Sequence, residues 1–146
     1  MLSKLNDLLD LFAEYPDQAE RTQLLLDYAD KFKDVPAAVA TRPFDQAALV
    51  PHCESEAYVW ALPNADGTLK LHFAVENPSG ISAKALAVIL DRSLSGLPAA
   101  EIAKVDPDIV EKIFRQNISM GKGMGLMSMV QRVQALARRS LQEKIA

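Results

Sequence analysis

Between Ala57 and Val75 the chain alternates in a way that leaves little freedom for local structure. Leu69, Leu71, Phe73 and Val75 are separated by Lys70, His72 and Ala74, the period of two that places every second side chain on one face of a strand. Ala57 to Leu62 is rich in β-formers. Pro63-Asn64-Ala65-Asp66-Gly67 supplies the turn between them. The spacing predicts an antiparallel hairpin whose Leu69, Leu71, Phe73 and Val75 face a core.

Helical periods flank this unit on both sides. Leu2, Leu5, Leu8, Leu9 and Phe12 mark one amphipathic helix ended by Pro16. The same proline is expected in the first turn of a second helix, with Asp17 and Glu20 near its start and Lys31 and Lys33 near its end. Leu24, Leu25, Tyr28 and Phe32 give that helix its buried face. From Asp34 to Pro51 the prolines at 36, 43 and 51 interrupt any helical period, so a long, mostly extended connection is expected, with Gln46 to Val50 as a possible third edge strand. After Asn77-Pro78-Ser79-Gly80 an alanine-rich helix is expected to about Leu94, closed by Gly96. Short helices follow at Pro98 and at Asp106-Pro107. Ser119 to Gly125 reads as a flexible, tightly turning entry to a long last helix marked by Leu126, Met129, Val130, Val133, Leu136 and Ala137. The whole is a single α+β domain over residues 1–146: a small antiparallel sheet packed against N-terminal and C-terminal helices.

At 146 residues, with 49 % hydrophobic and 24 % charged residues, the chain lies far from the composition of disorder and is long enough to bury a core without a disulfide. Its net charge of −3 offers no global attraction for nucleic acid or an anionic membrane. No apolar run approaches the ~20 residues of a membrane span. Asn6, Asp7 and Asp10 interrupt the apolar core a signal peptide would need, so a cytoplasmic setting is expected. Arg132, Arg138, Arg139 and Lys144 give the last helix a basic character that reads as a solvated face, since no exposed aromatics are interleaved with them.

Chemistry narrows to one residue. Cys53, the sole cysteine, lies in Val50-Pro51-His52-Cys53-Glu54-Ser55-Glu56, a polar loop at the end of the connection and just ahead of the hairpin. A lone thiol forms no internal disulfide. With His52 and His72 it falls short of the four ligands of a structural zinc site, and no resident metal or cofactor is expected. Adjacent side chains diverge in extended backbone, which argues against His52 and Cys53 as a catalytic pair. His72 reads as a surface group. Gly121-Lys122-Gly123-Met124-Gly125 has neither phosphate-loop spacing. Met120, Met124, Met127 and Met129 are candidates for an adaptable contact surface, with core packing favoured for Met127 or Met129.

Taken in chain order these features resemble the SufE family of sulfur acceptors. Two N-terminal helices, a proline-containing connection, Cys53-Glu54-Ser55-Glu56 leading into Tyr58-Val59-Trp60, the Asp66-Gly67 turn, a helix, and Gly125-Leu126 before Met129 fall in family order. The family's motif, a cysteine followed by x-Ser-x and an aromatic strand start, is met by Cys53, Ser55 and Tyr58. Two positions depart from it: His52 stands where the family usually has glycine, and Lys122 where it has a basic residue, typically arginine. The resemblance implies that Cys53 accepts persulfide sulfur from a cysteine desulfurase (SufS-like or CsdA-like), stimulates that enzyme, and delivers the sulfur to an iron–sulfur scaffold complex. Pyridoxal phosphate would belong to the desulfurase. His52, Glu54, Ser55 and Lys122 are then the expected loop and partner-docking residues. The Cys53 loop is expected to rest with its thiol inward, shielded by Tyr58, Trp60, Leu62 and the last helix, and to swing out on docking. Two rival readings remain open: a Cys-dependent hydrolase or transferase, which would need a base beside Cys53, and a helical interaction module in which Cys53 has no role.

Overall fold

The computed structural model describes residues 2–145, with side chains through Glu143, so the side chain of Lys144 lies outside the described residues. Six helices and one hairpin appear in the order α1 (Ser3–Ala13), α2 (Gln18–Ala29), β1 (Ala57–Pro63), β2 (Leu69–Val75), α3 (Ile81–Leu94), α4 (Ala99–Ile102), α5 (Ile109–Phe114) and α6 (Met120–Ile145). None of these helices is long and apolar enough to cross a membrane.

The expected antiparallel hairpin forms, and it pairs Ala57 with Val75 and Pro63 with Leu69. Its turn is fastened by Asp66 Oδ1, which accepts from the Thr68 amide and hydroxyl, while Gly67 takes a φ of 86° that only glycine adopts without strain. Leu69, Leu71, Phe73 and Val75 are buried, as are Ala57 and Val59 opposite them. Beneath them runs α3, buried along nearly its whole length from Ala83 to Leu94. Its small alanines let neighbours approach from several sides, and α1, α2 and β2 all pack on it. The outer edge of β2 is occupied rather than left as a template for pairing. Leu69 exchanges bonds with Gly96 and Leu97, Ser95 Oγ accepts from the Leu71 amide, and the Phe73 carbonyl accepts from Val35.

Four expectations are corrected. Gln46 to Val50 is not a third strand: Asp45 Oδ1 accepts from the Ala47 amide and winds Gln46–Ala48 into one 3₁₀ turn, leaving a single bridge between Leu49 and Tyr58. The second helix starts later than Pro16, because Asp17 caps it by accepting from the Glu20 amide. Ser119 to Gly125 is not a turning entry, since α6 is helical from Met120. Arg132 is only partly solvated: it is half-buried, and its Nη2 donates to the Ala47 carbonyl and ties α6 to the connection.

The proline-containing connection covers the second face of the hairpin. Phe44 packs on Tyr58 and Trp60 with ring centroids 5.1 and 5.2 Å away, and Val35, Ala48 and Ala74 complete this smaller core. Arg42, stacked on Phe44 and paired with Asp34 and Glu76, holds the connection down. His72, across from Trp60, is half-buried, and burial together with Lys70 lowers its pKa against the opposing pull of Asp91.

Candidate functional site

Cys53 sits in a loop pinned at both ends by backbone hydrogen bonds. The Val50 amide donates to the Ala57 carbonyl on one side; the Glu76 amide donates to Glu56, and Asn77 to Ser55, on the other. Between these anchors the Glu56 amide donates to the Cys53 carbonyl at 3.1 Å, closing a tight turn. The geometry forces His52 to φ 60° and Glu56 to φ 51°. A side chain in this left-handed region costs about 1–2 kcal/mol, so the loop carries strain at both of its hinges. The same φ gives a physical reason for a glycine ahead of the cysteine, the residue that His52 replaces here.

Two glycines make this conformation possible. A Cβ on Gly80, the residue before α3, would lie 2.9 Å from Val75 Cγ1 and 3.0 Å from the Ser55 side chain. One on Gly125, in the second turn of α6, would lie 2.9 Å from the His52 carbonyl oxygen and 3.3 Å from Cys53 Cα. The loop is therefore gripped between the beginnings of two helices, through the Ser55 side chain at Gly80 and through its own backbone at Gly125. In the sequence Gly80 stands only ahead of the alanine-rich helix, and Gly125, although part of the Gly125-Leu126 family pattern, gives no sign that it meets the cysteine loop.

Half-buried Cys53 lines an open cleft of about 250 Å³ together with Glu54, Ser55, Asn77, Gly80, Ile81, Gly121, Lys122 and Leu126. That volume is below the ~300–1,000 Å³ of small-molecule pockets and suits the tip of an incoming side chain. The first turns of α3 and α6 border it, so two positive helix ends and the Lys122 ammonium stand against the negative charge of Glu54. The expected residues Cys53, Glu54, Ser55 and Lys122 are thus brought together. His52 holds the hinge with its side chain exposed. Tyr58 and Trp60 are not brought there: parity along β1 turns them, with Leu62, to the opposite face, where Phe44 meets the two aromatic rings. The shield around the thiol is α6, Leu126 included, rather than the aromatic strand. Among the described residues no hydrogen bond joins Cys53 to either imidazole, and no group of three or more His, Cys, Asp or Glu is placed to hold a metal.

Gly125→Ala is expected to speed labelling of Cys53 by a bulky maleimide roughly tenfold, since relieving the overlap with the His52 carbonyl means displacing the loop. Gly121→Ala meets nothing within 4 Å and is expected to leave labelling unchanged. Equal rates for the two variants and the parent would show that α6 does not hold the loop.

Fold and site together define a small α+β domain that presents one thiol from a strained loop in a shallow cleft. The family model described as "SufE: Fe-S metabolism associated domain" matches residues 6–137, and the chain belongs to the SufE family. Its fold is similar to the solution structure of a hypothetical protein from Thermus thermophilus, with a TM-score of 0.73 and 27 % identity over 95 % of this chain and 96 % of that one. No curated protein sequence matches the chain.

Proposed function

We propose that this protein is a sulfur acceptor in iron–sulfur cluster assembly. The observation that carries the reading is the sole thiol, held half-buried in a cleft whose walls belong to the beginnings of α3 and α6, in a chain of the SufE family. A cysteine desulfurase of SufS-like or CsdA-like type presents a persulfide on its own cysteine, and the pyridoxal phosphate that supplies the desulfuration chemistry is bound to that enzyme. The Cys53 thiolate attacks the outer sulfur; a new S–S bond forms at Cys53 as the donor's S–S bond breaks, and the donor cysteine departs as thiolate. The proton on the outer sulfur travels with it, and no net oxidation or reduction occurs. Removing the persulfide frees the desulfurase for its next turnover, which is the form its stimulation takes. With no second cysteine in the chain the sulfur does not leave by forming an internal disulfide. It is discharged to another molecule, for which the iron–sulfur scaffold is proposed. The chain is a carrier without turnover of its own, in a reducing cytoplasm.

The cleft supports this reading over a hydrolase, which would need a base in contact with the thiol. Intact-mass measurement after incubation with the desulfurase holoenzyme and cysteine tests it. The expected result is a gain of one sulfur atom on the parent chain; no gain at any desulfurase concentration would refute the reading.

Lys122 is exposed at the cleft wall and meets no carboxylate among the described residues. Lys122→Glu is expected to reduce desulfurase stimulation several-fold at low ionic strength, with parent and variant converging as salt is raised. Equal stimulation by both proteins at low salt would remove Lys122 from the docking surface.

A further inference from the structure

Five large apolar side chains are markedly exposed among the described residues: Leu62, Ile81, Met120, Met124 and Met127, with exposures of 37, 42, 85, 64 and 38 %. Single exposed apolar residues need no explanation. Here, however, Ile81 lines the Cys53 cleft, and the three methionines lie on the turns of α6 that supply Gly121, Lys122, Gly125 and Leu126 to the same cleft. Positions 120, 124 and 127 follow the i, i+4, i+7 spacing of one helix face. They form a ridge turned away from the buried stripe of Leu126, Met129, Val130 and Val133. Gly121 and Gly125 lie between ridge and core, on the side where the loop rests on Gly125.

We propose that Met120, Met124 and Met127 form the apolar ridge on which the persulfide donor seats, in an apolar groove of that enzyme. The inference rests on the sulfur-acceptor reading and adds to it the surface that supplies the affinity. Ile81, Gly121 and Lys122 are walls of the opening through which a sulfur-bearing side chain must pass, so a protein delivering that side chain comes to rest on the start of α6. Three unbranched methionines adapt to a groove without a fixed shape. Gly121 meets no atom that a Cβ would touch, so space does not demand glycine there. Each glycine costs about 1 kcal/mol of helix stability relative to alanine, which keeps these turns adjustable.

The ridge also adjoins the grip on the loop. The turns that would seat the donor are those whose Gly125 abuts the His52 carbonyl and Cys53 Cα, so a shift of these turns on docking loosens the contact that holds the thiol inward.

The test is Cys53 loading by the SufS-like desulfurase holoenzyme of the same organism, followed by intact mass as a function of acceptor concentration. Met120→Gln/Met124→Gln is expected to raise the half-saturating concentration about tenfold or more, as loss of two buried apolar anchors implies, while the rate at saturation is retained. Met120→Leu/Met124→Leu restores the parent value because it returns apolar surface. Circular dichroism confirms that all three proteins are folded. An unchanged half-saturating concentration in the Gln variant overturns the proposal, as does a fall confined to the saturating rate. A parent protein that self-associates in sedimentation while the Gln variant stays monomeric also overturns it. Failure of the parent to load at any concentration is a different result, visible without any ridge variant, and it refutes the sulfur-acceptor reading itself.

Discussion

The Cys53→Ser variant is expected to fold with nearly the parent's stability and to take up no sulfur from a desulfurase. The stability half follows from the surroundings of the side chain. Cys53 is half-buried, its thiol makes no hydrogen bond among the described residues, and the loop around it is held by backbone bonds and by Gly80 and Gly125, none of which needs the sulfur. Serine fits the same space, so the expected change is within about 1 kcal/mol, visible as a shift of a few degrees in melting temperature. The chemical half is a complete loss, because a hydroxyl is neither ionised near neutral pH nor soft enough to attack a persulfide. Intact mass decides the second claim and thermal denaturation the first. A serine variant that still gained sulfur would place the acceptor elsewhere. One that lost sulfur uptake together with several kcal/mol of stability would leave the thiol's chemical role unproven.

What the sequence disclosed about this molecule follows from the range of the interactions involved. Alternation from Leu69 to Val75 and the Asp66-Gly67 turn act over neighbouring residues, and the hairpin appears with the expected residues facing the core. Asp17, Gly96 and Pro98 likewise act locally, and they bound helices at or near the expected places. The glycine-rich segment misled because its local propensity and its tertiary role oppose each other. Low helix propensity suggested a turn, yet α6 begins at Met120, and Gly125 is accommodated for its approach to His52 and Cys53 across about 70 residues of chain. Tyr58 and Trp60 misled differently. As the bulkiest side chains of β1 they suggested the core beside the thiol, but that face takes Ala57 and Val59. The aromatic face is covered by a connection whose fold back over the sheet has no periodic signature.

The cysteine was legible because it is unique and stands in a motif. The grip on it was not, since two isolated glycines at 80 and 125 announce nothing about meeting the same loop. Even the strain at His52 and Glu56 has no sequence signal beyond the departure from glycine at 52, which marks the position without revealing the backbone angle.

Arg21→Leu is expected to cost about 3 kcal/mol, or roughly 10 °C in melting temperature, a large loss of stability for a side chain remote from the cleft. Arg21 is 1 % exposed, and it shares a helix face with Leu25 and Tyr28 at the i, i+4, i+7 spacing, a pattern in which a charged residue is easily passed over. Its Nε donates to the Tyr15 carbonyl at 3.0 Å. Nη1 donates to Lys112 and Ile113 at 3.1 and 2.7 Å, and Nη2 to the Phe12 carbonyl. Phe12 lies in the last turn of α1, and Lys112 and Ile113 in the last turn of α5, where helix carbonyls lack intrahelical donors and the dipole favours a cation. One guanidinium therefore closes two helix ends, and its plane lies over the Phe12 ring at 5.5 Å. Leucine fills part of the volume but leaves the Tyr15, Lys112 and Ile113 carbonyls without this donor, while the Phe12 carbonyl keeps the Tyr15 amide. Water reaches the more exposed ones, which keeps the expected cost below the sum of four charged hydrogen bonds. Arg21→Lys retains charge but not the fork, so an intermediate loss is expected. The consequence extends toward the thiol, because α5 leads through Arg115, at φ 47°, and through Asn117, which donates to the Gln18 carbonyl and the Thr22 hydroxyl of α2, directly into α6. Thermal melts of the three proteins, with Cys53 labelling measured well below each transition, separate the two effects. A melting temperature within about 2 °C of the parent for Arg21→Leu would show that the clamp is dispensable, because such a shift corresponds to less than about 1 kcal/mol.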